Sequence, residues 1–162
     1  MFACIKFLTY KNDDVGLIIR AIDVPYGKKK EPTNQMIIQV VDDEFDIVNL
    51  IKLCLQEIGL NAVGFTDSSL AFEHFRINSK DCMLVISDIR IPGMNGFEFV
   101  RKIREINPVV KVLLMSAFEV NSAELSAGIG EAKIDGFIQK PVSLADLNNL
   151  VRKQLEIKTL SS

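Results

Sequence analysis

A chain of 162 residues that is 48% hydrophobic and 25% charged has the length for one domain with an appendage and enough apolar residues for a substantial core. Its formal net charge of -2 excludes the broad basic field that would drive sequence-independent binding to nucleic acid. No apolar run approaches the ~18 residues of a membrane span, and Cys4, Cys54 and Cys82, odd in number and widely spaced, suggest neither a disulfide framework nor a zinc site but a reducing, cytoplasmic setting.

Residues 1–35 stand apart as an N-terminal extension. Apolar runs at 2–8 and 15–22, separated by Lys11-Asn12-Asp13-Asp14, have the pattern of a β-hairpin, and residues 27–35 read as a solvated linker. The opening residues lack a basic n-region and a small-residue cleavage site, so no signal peptide is expected. From Met36 the pattern becomes regular. Residues 36–41 form an apolar, β-branched run broken only by Gln39, as expected of a strand buried on both faces. Ile47, Leu50, Ile51, Cys54 and Ile58 follow at helical spacing, with Gly59 placed to end the helix. A strand at 61–65 and a helix from about 68 to 77 come next, the latter carrying the sole histidine, His74, read as a surface or half-buried residue. Residues 83–87 predict a third strand ending at Asp88. Phe97, Val100, Ile103, Arg104 and Ile106 predict a third helix closed by Asn107-Pro108. Residues 109–115 predict a fourth strand ending at Ser116; 119–131 a weak helix; 134–139 a fifth strand. Ser143 caps a final helix displaying Leu144, Leu147, Leu150, Val151 and Leu155. Strands and helices in alternation, five of each, predict an α/β, doubly wound, mostly parallel five-stranded sheet.

Chemistry collects at the predicted strand ends. The first strand runs into Asp42-Asp43-Glu44, the third into Asp88, the fourth into Ser116 and the fifth into Lys140-Pro141. In an open parallel sheet these carboxyl ends share one edge, where such folds bind ligands. Crowded carboxylates raise one another's pKa unless a cation sits among them, and magnesium prefers carboxylate oxygen. A metal, a lysine, a hydroxyl and a spare carboxylate suit phosphoryl transfer, with Asp88 as nucleophile. Taken singly, the acidic pair also reads as a cap for the next helix, Asp88 as a turn residue and Lys140-Pro141 as a connector.

The stretches Val-Val-Asp-Asp-Glu at 40–44, Ser-Asp-Ile-Arg-Ile-Pro-Gly-Met-Asn-Gly at 87–96, Met-Ser-Ala at 115–117 and Gln-Lys-Pro at 139–141 resemble the receiver domain of two-component response regulators. The resemblance implies a flavodoxin-like, CheY-like strand order of 2-1-3-4-5 over a receiver unit at 36–157, followed by a short tail at 158–162. It implies that Asp88 is the phospho-acceptor and that Asp43 and Asp88 bind Mg2+ directly, Asp42 through a water. The backbone carbonyl of Arg90 would add a ligand. Lys140 would pair with the phosphoryl group, Ser116 would move toward it, and the backbone amide of Ala117 would donate to it. Phe137 stands where the family places its aromatic switch residue and lacks a tyrosine's hydroxyl. The implied donor is a histidine kinase or phosphotransfer protein. The implied output is a protein target on the face of the fourth helix, fifth strand and fifth helix, with homodimerisation compatible and no output domain expected after the final helix. Direct nucleic-acid binding and membrane association are not expected, and the chain reads as a signalling phospho-acceptor rather than a turnover enzyme.

Other readings fit parts of the pattern. A haloacid dehalogenase-type phosphatase wants a second aspartate two residues after the first, where Arg90 stands. A flavodoxin wants a phosphate-binding loop where Asp42-Asp43-Glu44 would repel the phosphate. An interaction module that keeps the fold without phosphorylation is the remaining alternative.

Overall fold

The computed structural model describes residues 36–117, 130 and 132–156. The hairpin and linker expected within 1–35, nearly all of the helix expected at 119–131, and the tail at 158–162 lie outside the described residues.

Five parallel strands, β1 (Ile37–Val41), β2 (Asn61–Phe65), β3 (Cys82–Asp88), β4 (Lys111–Ser116) and β5 (Gly136–Gln139), form one sheet in the order β2-β1-β3-β4-β5. Among the described residues the helices are α1 (Phe45–Glu57), α2 (Ser68–Asn78), α3 (Gly96–Ile106) and α4 (Leu144–Gln154). The strand order is the one the resemblance implies, and the described helices alternate with the strands as the sequence predicts.

Side chains alternate across the strands with period 2, and each face meets its own helices. On one face Val41, Val85, Val112 and Leu114 pack with Ala71 and Phe75 of α2 and with Phe99, Val100 and Ile103 of α3. On the other, Ile38, Val40, Leu84, Ile86, Leu113 and Met115 pack with Ile51, Cys54 and Leu55 of α1 and with Leu147 and Val151 of α4. Burial on both faces explains why β1, β3 and β4 read as near-continuous apolar runs. The exception, Gln39, is fully buried on the α2 side. Its Nε2 donates to the Ala71 carbonyl at 2.9 Å, and its Oε1 lies 2.9 Å from His74 Nδ1. With the amide nitrogen occupied as donor, the histidine Nδ1–H is the donor of that second bond. His74 is thereby half-buried, and burial holds its pKa below the ordinary value.

Local signals end the helices where expected. Gly59 takes a φ of +82° just past α1, the left-handed turn that glycine adopts without steric cost. Asp67, Asn95 and Ser143 cap α2, α3 and α4, their side chains accepting from Leu70, Glu98 and Asp146 N–H groups. Arg104, placed by spacing on the apolar stripe of α3, does something else. Its guanidinium donates to the carbonyls of Pro108, Val110 and Lys133 and to Asp135 Oδ2, tying the end of α3 to the segment that enters β5. Asp135 also accepts from Lys111 Nζ and Val112 N–H, each at 2.9 Å. No described helix is long and apolar enough to cross a membrane.

Candidate functional site

Strand register assembles the site. Val41 stands opposite Ser87, so the next residues along, Asp42 and Asp88, emerge side by side at the carboxyl edge. Ser116 pairs with Gln139, and the Lys140 N–H donates to the Ser116 carbonyl at 2.8 Å, bringing Lys140 to the same edge. The peptide bond between Lys140 and Pro141 is cis.

The three aspartates converge: one carboxylate oxygen each from Asp42, Asp43 and Asp88 lies within 4.8 Å of the others. Asp42 is fully buried and Asp88 nearly so, while Asp43 is exposed. Asp42 Oδ1 accepts from the Glu44 N–H at 3.0 Å, and Asp88 Oδ2 accepts from the Arg90 N–H at 3.1 Å. The remaining oxygens face Lys140, whose Nζ lies 2.8 Å from Asp42 Oδ2 and 3.3 Å from Asp88 Oδ1. Asp42 Oδ2 is buried, and its contact with Lys140 is this close ion pair.

Burial pushes the Asp88 carboxyl above its ordinary value; Lys140 opposes that shift and the charge of Asp42 adds to it. Burial works to lower the Lys140 ammonium, but hydrogen bonding and charge from Asp42, joined by Asp88, outweigh it and hold the pKa above the usual value. One ammonium among three aspartates leaves an excess of negative charge in a partly desolvated cleft. That excess, with the buried Asp42 Oδ2, fits a hard divalent cation bound through oxygen.

The other predicted positions surround this cluster. Ser116 is buried at the end of β4, and Ala117 follows it as an exposed residue. Arg90 is exposed two residues beyond Asp88. Phe137, half-buried on β5, packs against the core face shared by α2 and α3. The helix-capping account of the acidic pair does not describe the geometry: the N-cap of α1 is Glu44, and its side chain makes no cap hydrogen bond.

Two contacts had no sequence reading. Ser68, buried at the start of α2, accepts from the Met94 N–H at 3.2 Å and donates to the Pro92 carbonyl at 3.3 Å, pinning the loop after Asp88. Gly96 is fixed sterically, since a Cβ there would stand 2.4 Å from the Asp88 carbonyl oxygen and 2.9 Å from Ile89 Cα. A serine in a polar stretch carries no signal for the first. For the second, the resemblance implies that Pro92 and Gly96 shape the loop after Asp88, without the backbone atoms that Gly96 meets.

A family model described as the response regulator receiver domain matches residues 38–152. The chain is 28% identical over 123 residues to the autoinducer 1 sensor kinase/phosphatase LuxN of Vibrio campbellii, covering 76% of this chain but only 14% of that protein. It is 27% identical over 119 residues to the response regulator receiver protein CpdR of Brucella abortus, covering 73% of this chain and 95% of the relative. Among solved structures, a CheY-like receiver domain protein from Methanospirillum hungatei superposes with a TM-score of 0.67 at 26% identity, over 74% of this chain and 93% of that one.

Proposed function

The chain belongs to the response regulator receiver family, and from that premise we propose that it is a phosphorylatable signalling switch whose phosphoryl acceptor is Asp88. The observation that carries this reading is the convergence of the Asp42, Asp43 and Asp88 carboxylates with the Lys140 ammonium at one sheet edge.

In this reading an Asp88 carboxylate oxygen attacks the phosphorus of a phosphohistidine presented by a histidine kinase or phosphotransfer protein. The P–N bond breaks, the imidazole leaves with the bonding pair, and an aspartyl phosphate remains. Asp42, Asp43 and Asp88, with the carbonyl of Arg90, would hold Mg2+. When bound, the ion offsets negative charge on the transferred oxygens. Lys140 pairs with the phosphoryl group, the Ser116 hydroxyl turns toward it, and the Ala117 N–H donates to it. Phe137, on the edge strand β5 that leads to Lys140, follows by changing rotamer. Water later hydrolyses the acyl phosphate, so the protein resets and does not turn over an external substrate.

The signal leaves through protein contacts on the face of β5, the final helix and the segment before β5, with phospho-dependent homodimerisation compatible and no direct nucleic-acid or membrane binding. We assign the receiver unit to 36–157, an extension to 1–35 and a tail to 158–162, in a cytoplasmic protein. Incubation of the purified protein with acetyl phosphate and Mg2+ should yield a phosphoryl adduct by intact mass, absent from Asp88→Asn and absent when the metal is chelated. Lack of an adduct with acetyl phosphate and with phosphorylated histidine kinases alike would favour an interaction module that works without phosphorylation.

A further inference from the structure

The Lys140 ammonium faces three carboxylates, and one of them lies outside the proposed metal set. Besides Asp42 at 2.8 Å and Asp88 at 3.3 Å, Glu44 Oε1 stands 3.6 Å from Nζ. The Asp42 side chain is 0% exposed and that of Glu44 66%, so the lysine bridges the floor of the site and its rim. Glu44 is not spent on capping α1, because its side chain makes no cap hydrogen bond. A divalent ion held among Asp42, Asp43 and Asp88 would draw on carboxylates already engaged with Lys140, and the two cations would repel one another.

We propose that Glu44 is a positioning residue that gives Lys140 a second seat at the rim, so that the ammonium yields Asp42 to the metal while staying beside Asp88. The inference rests on the magnesium-dependent reading above. Without this seat, an incoming ion must draw Asp42 away from an ammonium left with Asp88 alone, itself in the proposed metal set, and metal affinity falls. A bare negative charge near the site would also attract the ion. Two comparisons separate the cases: one changes reach without changing charge, and the other removes the lysine.

The measurement is the Mg2+ dissociation constant of the full chain by titration calorimetry, for the wild type, Glu44→Gln, Glu44→Asp, Lys140→Met and the Glu44→Gln/Lys140→Met double variant. Glu44→Gln should weaken Mg2+ binding about two- to fivefold, the scale of a partly screened ion pair. Glu44→Asp keeps the charge but is one methylene shorter, and should weaken binding nearly as much. In the Lys140→Met background the Glu44→Gln change should have no effect. Wild-type affinity in Glu44→Asp, an undiminished Glu44→Gln loss in the Lys140→Met background, or no loss in Glu44→Gln would each overturn the proposal. Should Lys140→Met fail to fold because Asp42 loses its counter-charge, the Glu44→Asp comparison decides alone. A wild-type chain that binds no Mg2+ would instead remove the metal reading itself.

Discussion

In the loop after Asp88, backbone proximity fixes residues as firmly as the side-chain bonds of Ser68 do. Gly96 is the clearest, because the atoms a Cβ would strike belong to the backbone of Asp88 and Ile89 and cannot swing aside. Gly96→Ala should destabilise the fold by about 1–3 kcal/mol, the usual scale of overpacking, and should slow phosphorylation by shifting Asp88; urea unfolding and adduct formation measure the two effects. An unchanged midpoint would mean that the loop relaxes freely. Residue identity was also where the sequence was most uneven. Asp42, Asp43, Asp88, Ser116 and Lys140 were legible because strand ends in a parallel sheet must converge. Ser68, the Gln39–His74 bond and the Glu44–Lys140 contact were not, since their partners lie 26, 35 and 96 positions away and a one-dimensional pattern holds no trace of them.

At the scale of elements, strand and helix types followed from periodicity, and their ends from caps and from Gly59. The predicted third, fourth and fifth strands differ from those observed by one or two residues at their starts, where ladder pairing rather than composition decides the boundary. Arg104 shows the limit of helical spacing as a guide: it occupies an apolar-stripe position yet makes a polar clasp at the entry to β5. That clasp has a pH signature. Burial works to raise the Asp135 carboxyl, but bonds from Lys111, Val112 and Arg104 outweigh it and hold its pKa below the ordinary value. The unfolded chain therefore takes up this proton first on acidification. The stabilisation is complete above the unfolded carboxylate pKa and is lost as pH falls through the lower folded value. Urea midpoints followed from neutrality down to about pH 3 should fall more steeply for the wild type than for Asp135→Asn, which starts less stable. Parallel curves would place the acid-labile group elsewhere.

For the whole molecule, the two apolar faces of the sheet supply the stability that lets one edge carry crowded, partly buried charge. An ion that binds only the folded chain shifts unfolding by mass action, by about 2.7 kcal/mol at a hundredfold excess over its dissociation constant. Mg2+ should accordingly raise Tm by several degrees in a scanning experiment, and Asp42→Asn should lose most of that shift. An equal rise in both proteins would mean that the ion acts away from this edge.

The bonds gathered on Asp135 give β5 a mechanical character. The strand is rooted at Asp135 by an arginine, a lysine and a backbone amide, and its far end carries Lys140. Five steps of about 3.3 Å each, through the four residues of the strand, make an arm of about 16 Å between them. Clamped at its root and laddered to β4 along all four residues, with the Lys140 N–H on the Ser116 carbonyl, β5 holds Lys140 as the tip of a stiff bracket rather than of a free arm.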